Sequence, residues 1–210
     1  MGNGTRPGPI GGESDPHHVD EGTLSRIGSP APGAIGLDAK GGTAKGSSAS
    51  IPEQILSFAR RRRGERVGDG ECFALADTAL RGAGAKSAAD YGTVSPDADY
   101  VWGQSVTLAN LQPGDVVQFR GYRYDREVVT EETNGTRTET DFQERPHHTA
   151  IVDRVEAGGR VTVLEQNAPP GSPVTRVVLF FSSGTTSSGR TTTTITVQGS
   201  AVFYRAEARP

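Results

Sequence analysis

Both segments with helical periodicity lie before residue 86, and the clear runs of strand alternation lie after residue 110. That order predicts an α+β domain, with two helices packed on one side of an antiparallel sheet or small open barrel. The first helical segment, "SASIPEQILSFARRRRGE", has Ser50 as a cap, Pro52 in the first turn and Glu53 at the positive end of the dipole. Ile55, Phe58 and Ala59 share one face, and Gly64 ends the segment. Arg60 to Arg63 fall at its C-terminal end, as a solvated helix end or as a grip for a polyanion. The second segment, "ECFALADTALRGAGA", aligns Phe73, Ala76 and Leu80 on one face and closes at Gly82 and Gly84.

Strand signals follow. Pro113-Gly114-Asp115 is a turn that opens the strand Val116–Phe119. The Thr/Val/Tyr-rich stretch from 120 to 145 reads as a hairpin about Asn134-Gly135, polar on both faces and projecting from the body. "HHTAIVDRV" and "RVTVLEQN" are strands joined at Ala157-Gly158-Gly159. "VTRVVLFF" and "TTTTITVQGSAVFYRAEA" add two or three more, with "SSGTTSSGR" as the loop between them.

Residues 1–50 differ in kind. They hold 12 of the 28 glycines and 5 of the 13 prolines, and no Phe, Tyr or Trp. Such a segment buries too little apolar surface to offset its ordering entropy, so it is expected to be a disordered leader before a domain at 51–210. His17 and His18 then belong to a solvated tail. With a net charge of −3, no global field points to nucleic acid or an anionic membrane. No apolar run is long enough to span a bilayer, and "MGNGTRPGPIGG" lacks the basic and apolar regions of a secretory signal. The expected location is therefore cytoplasmic, or outside by another export route.

The single cysteine, Cys72, excludes an internal disulfide framework and makes a Cys/His zinc site short of ligands. It sits in "GDGECFALADTAL" at the start of the second helix. A cysteine there is either a small buried residue or a nucleophile activated by unpaired N–H groups, the helix dipole and a nearby imidazole. The downstream pattern favours the nucleophile. His148 starts an apolar strand, and the next strand ends in Glu165-Gln166-Asn167. In an antiparallel pair the start of one strand lies beside the end of the next, so His148 falls beside Glu165 and Asn167, which share a face. His147 points to the opposite face, whereas His148 is an even number of residues from Ala150 and Val152 and shares their inward side. No third ligand completes a metal site around His148 and Glu165. Trp102 in "YVWG" is either core or cleft lining, and Asp115 is a turn residue.

Together "GDGECFALADTAL", "LQPGDVVQF" and "HTAIVDRV…VTVLEQN" resemble the papain-like CHAP family of cysteine, histidine-dependent amidohydrolases and peptidases, relatives of NlpC-type cell-wall peptidases. The resemblance covers residues 51–170. It implies Cys72 as nucleophile, His148 as general base, and Glu165, Asn167 or both as the group orienting His148. It also implies a peptide or peptidoglycan amide as substrate, with no cofactor. Where that family often has Gln before the nucleophile, this chain has Glu71. A carboxylate cannot donate to an oxyanion and its charge works against the thiolate, which leaves the Cys72 backbone N–H as donor. That departure keeps a second expectation open, a papain-like domain that binds without catalysing. The sequence does not separate hydrolysis from acyl transfer to another acceptor.

Overall fold

Ser50 fixes where the first helix begins. Its backbone N–H donates to the Glu53 carboxylate at 2.7 Å and its hydroxyl to the same oxygen at 2.8 Å, a local lock on an end that would otherwise fray. The computed structural model describes residues 49–210; the expected leader and His17/His18 lie outside these, except for its last two residues. Helix α1 spans Ile51–Arg61 and buries Ile55, Leu56 and Ala59. Helix α2 spans Cys72–Gly82 and buries Leu75, Ala76, Ala79 and Leu80.

Seven strands follow: β1 Gln104–Val106, β2 Val116–Glu132, β3 Gly135–Val155, β4 Arg160–Glu165, β5 Thr175–Phe180, β6 Gly184–Ser188 and β7 Thr191–Arg205. They form one antiparallel sheet in the order β1-β7-β2-β3-β4-β5, with β6 on the side of β7. The sheet is open, since β1 and β5 do not meet.

The period-two alternation of its central strands divides the core. Val116, Ile151 and Leu164 face the helices and pack with their apolar residues. Their neighbours Val117, Val152 and Val163 face the other way, into a second core with Phe119, Ala150, Val161 and Leu179. The middle of the sheet is thus covered on both sides, and its strands read as unbroken apolar runs.

Several expectations change in the structure. The hairpin turn is Thr133-Asn134, because Glu132 pairs with Gly135. Asn134 does not take the positive φ that an Asn-Gly turn of the primed type demands, and Gly135, at φ 146°, opens β3 instead. The hairpin does not stand alone: β7 pairs with β2 from Arg123↔Gln198 to Thr130↔Thr191, and β6 pairs with β7. The stretch "SSGTTSSGR" therefore contains strand β6 rather than only a loop; its small polar residues suit a solvated edge strand. The arginine run is not wholly solvated either. Arg60 Nε lies 2.6 Å from the buried Asp153 Oδ1, and Arg176 Nε lies 2.9 Å from Oδ2, so one member of the run ties α1 to the sheet.

Asp115 is more than a turn residue. It is fully buried, accepts the Gln112 N–H at 2.8 Å, and receives Arg205 Nε at 3.1 Å and a terminal nitrogen at 3.0 Å. The preceding Gly114 has φ 91°, and a Cβ there would stand 2.4 Å from the Pro52 carbonyl oxygen. This close approach docks the start of α1 on the turn that feeds β2. Gly114→Ala is expected to cost more than about 2 kcal/mol through left-handed strain and the clash. Urea unfolding measures it; an unmoved midpoint would mean that the turn and helix relax apart without loss.

Candidate active site

The segment before Cys72 is "VGDGE", residues 67–71. Gly68 and Gly70 take φ of 60° and 93°, a conformation that side-chain-bearing residues rarely adopt. A Cβ on Gly68 would meet the Ala74 Cβ at 2.9 Å, so the loop lies tightly on the first turn of α2. Glu71 is the extended N-cap and Cys72 the first helical residue, half-buried and unbridged. At that position the backbone N–H has no intrahelical acceptor, and the positive end of the helix favours a thiolate.

The β3–β4 register brings the second group. Ile151 pairs with Leu164. Extending that register sets Ala150 opposite Glu165 and His148 one same-face step beyond, within reach of a long side chain. His148 Nε2 lies 3.0 Å from Glu165 Oε2. The oxygen sits off the N–H axis, so the contact is a close ion-pair approach rather than a straight hydrogen bond. With Nε2 committed to Glu165, Nδ1 is the nitrogen available to Cys72. Burial works against the charged imidazole. The proximity of Cys72 and of Glu165 outweighs burial and raises the pKa above the ordinary 6.5.

Glu165 itself is fully buried. Arg145 holds it at both oxygens, Nε to Oε2 at 2.9 Å and a terminal nitrogen to Oε1. Burial pushes the Glu165 carboxyl up, but His148 and then Arg145 pull harder and its pKa falls below 4.5. Strict alternation puts Arg145, three residues before His148, on the opposite face. The left-handed Gly121 and the register shift between Arg120 and Arg123 reset that alternation: Tyr122, opposite Arg145, packs in the same core as Phe119, opposite His148, so Arg145 meets the carboxylate from the same face, and sequence reasoning missed it for that reason.

Of the other candidates, Asn167 is near but does not orient the imidazole. Its Nδ2 donates to Glu71 Oε2 at 2.8 Å, and its Oδ1 accepts the Gly171 N–H at 2.6 Å. Glu71 thus sits at the groove with its carboxylate held by an amide rather than aimed at a reacting oxygen. Gln166, also missed, is fully buried and clasps the loop before Cys72. Trp102 is core, not cleft: it is fully buried, its indole N–H donates to Gln118 Oε1 at 3.1 Å, and it lies beneath Phe73 and Tyr100. His147 Nε2 is 2.8 Å from the Ala98 carbonyl and its ring packs on Tyr100, tying a loop to the sheet.

Cys72 and His148 open onto a groove of about 1330 Å³. Phe73, Val94, Pro96 and Tyr100 line it, as do Pro169 and Pro170. Burial and then the neighbouring Cys72 raise the Tyr100 phenol above its ordinary range. Gln143 to Pro146, at the base of the polar hairpin, also line the groove. Among the described residues no group of three or more His, Cys, Asp or Glu side chains is arranged to hold a metal ion. No described helix is long and apolar enough to cross a membrane.

The family model of the AIM3/BBC1 cysteine proteinase-fold domain matches residues 43–179. That span runs from before α1 through nearly all of β5 and contains Cys72, His148 and Glu165. It supports a papain-like fold and does not single out the CHAP and NlpC branch. No curated protein and no solved structure matches the chain.

Charge linkage gives the site a pH signature. His148 binds its proton more tightly folded than unfolded, so its contribution to stability is present below about 6.5 and is lost as pH rises through its folded value. Glu165 does the reverse: its contribution is present above about 4.5 and is lost as pH falls through its lowered value. Both act between those limits. There Glu165→Gln is expected to cost about 3 kcal/mol, because it leaves Arg145 and His148 buried without their carboxylate. In the same variant His148 should titrate below its wild-type value in a ring-proton NMR titration. An unchanged titration would show that Glu165 does not control the imidazole.

Proposed function

The chain belongs to the AIM3/BBC1 cysteine proteinase-fold family, and on that premise we propose that it is a cysteine amidase or peptidase acting through Cys72, His148 and Glu165. One observation supports the reading: His148, 3.0 Å from a buried carboxylate, lines the same open groove as the half-exposed Cys72. We assign the catalytic unit to residues 51–210, with 1–50 as its leader.

His148 takes the thiol proton. The sulfur lone pair then forms the S–C bond to an amide carbonyl, and the carbonyl π pair moves to oxygen. The Cys72 backbone N–H, unpaired within the helix, faces that oxyanion. Collapse breaks the C–N bond, and the imidazolium gives its proton to the leaving amine. Water then adds to the thioester carbonyl as His148 takes its proton; collapse breaks the C–S bond and releases the carboxylic acid, and the imidazolium returns the proton to the Cys72 thiolate. Glu165 stabilises the imidazolium and fixes the ring, and Arg145 keeps Glu165 ionised and in place. The finer reading, a CHAP-like enzyme on a peptide or peptidoglycan amide, rests on the order Cys72, His148, Glu165 along the chain.

One observation favours a second reading, a papain-like binding module. Glu71, at the groove beside Cys72, carries a carboxylate held by Asn167 and so supplies no side-chain donor to an oxyanion. Incubation with a mixed peptide pool and with peptidoglycan fragments, followed by mass spectrometry, decides between them. Cleavage is expected in one of the two, abolished in Cys72→Ala and at least about 100-fold slower in His148→Ala. Cleavage that survives Cys72→Ala, or its absence from both pools with wild-type protein, would contradict the enzyme reading.

A further inference from the structure

We propose that Gln166 is a positioning residue that aims the Cys72 backbone N–H into the groove as the oxyanion donor. The proposal rests on the reading of Cys72 as nucleophile and adds to it the part that organises the reacting oxygen's site.

Gln166 lies between Glu165 and Asn167 and, by alternation, on the opposite face, the helix side, with Leu164. Its side chain is fully buried. Its Oε1 accepts the Val67 N–H at 2.9 Å, and its Nε2 donates to the Val67 carbonyl at 3.0 Å and to the Glu71 carbonyl at 2.6 Å. Both amide N–H groups are thereby used. The segment they clasp contains Gly68 and Gly70, both in the left-handed region, so its own sequence does little to hold it in one shape.

The contact to Glu71 matters most. The Glu71 carbonyl and the Cys72 N–H belong to one planar trans peptide unit, so they point in opposite directions. Gln166 and the Ala74 N–H, at 3.0 Å, both hold that carbonyl toward the interior. The Cys72 N–H is consequently turned outward, beside its own thiol. Asn167 meanwhile holds the Glu71 side chain at 2.8 Å. Backbone and side chain of the residue before the nucleophile are thus fixed by adjacent residues of one strand end. With a carboxylate at position 71 in place of a side-chain donor, the orientation of this one peptide bears more of the oxyanion's stabilisation.

Two reactions of the same thiol separate this role from a merely structural one. Iodoacetamide alkylation forms the S–C bond as the C–I bond breaks and places no charge on oxygen. Acylation by p-nitrophenyl acetate passes through a tetrahedral oxyanion before p-nitrophenolate leaves and a thioester remains. In Gln166→Met, of similar size but unable to hydrogen-bond, the acylation burst should slow about 10- to 100-fold while alkylation changes less than about threefold. Gln166→Asn, one methylene shorter, should show the same split and serves if the Met variant does not fold. Parallel loss of both reactions, an acylation-to-alkylation ratio within about twofold of wild type, or unfolding of both variants would overturn the proposal. Failure of the underlying reading looks different: wild-type alkylation would then be indifferent to His148→Ala.

Discussion

A carboxylate with no exposed surface, Glu165, sits at the junction of helix and sheet. Burying an unpaired charge costs several kcal/mol after relaxation, so the fold has to supply partners. Arg145 takes both oxygens and His148 closes on one of them. With these partners the same low dielectric that penalises the lone charge strengthens the pairing. The site depends on this arrangement, because it sets the charge state of the imidazole facing Cys72.

Glu165 also begins the tripeptide that joins the two halves of the domain. Glu165 faces His148 on one side of the sheet, Gln166 faces the loop before α2 on the other, and Asn167 turns at φ 65° to meet Glu71. The end of β4 and the turn that follows it thus connect consecutive residues to base, nucleophile loop and flanking carboxylate. Positions fixed by regular structure and buried hydrogen bonds hold geometry better than positions on a free loop. The groove above is wide and lined by aromatic and proline side chains, and four of its prolines, Pro96, Pro146, Pro169 and Pro170, come from three separate segments. Such a lining suits an extended chain passing over the thiol more than a small, enclosed ligand.

How much of this was legible in the sequence follows from the range of each signal. The two helices and the β3–β4 pair came through because their apolar periodicity is local. His148 and Glu165 could be placed together because an antiparallel register is simple arithmetic on a short turn, whereas Cys72 joins them only through the order of the motifs and the family resemblance. Arg145 was hidden because an irregularity at Gly121 resets the alternation between it and His148. Gln166 was hidden because a residue between two plausible ligands looks like spacing, and its partners are backbone groups nearly a hundred residues away. Asn167 is a candidate imidazole partner only while face-sharing persists past the last strand residue; β4 ends at Glu165 and the chain turns. Strand β6 carried no hydrophobic alternation to find, since it is held only along β7 and faces solvent.

The central claim is that Cys72 and His148 act as one unit. The most direct measurement is the rate of Cys72 alkylation by iodoacetamide across pH, in wild type and His148→Ala. The account predicts rapid modification at about pH 6, falling at least about tenfold in the mutant. Slow modification there, identical in the two proteins, would contradict it and leave Cys72 as a packed residue at a helix start.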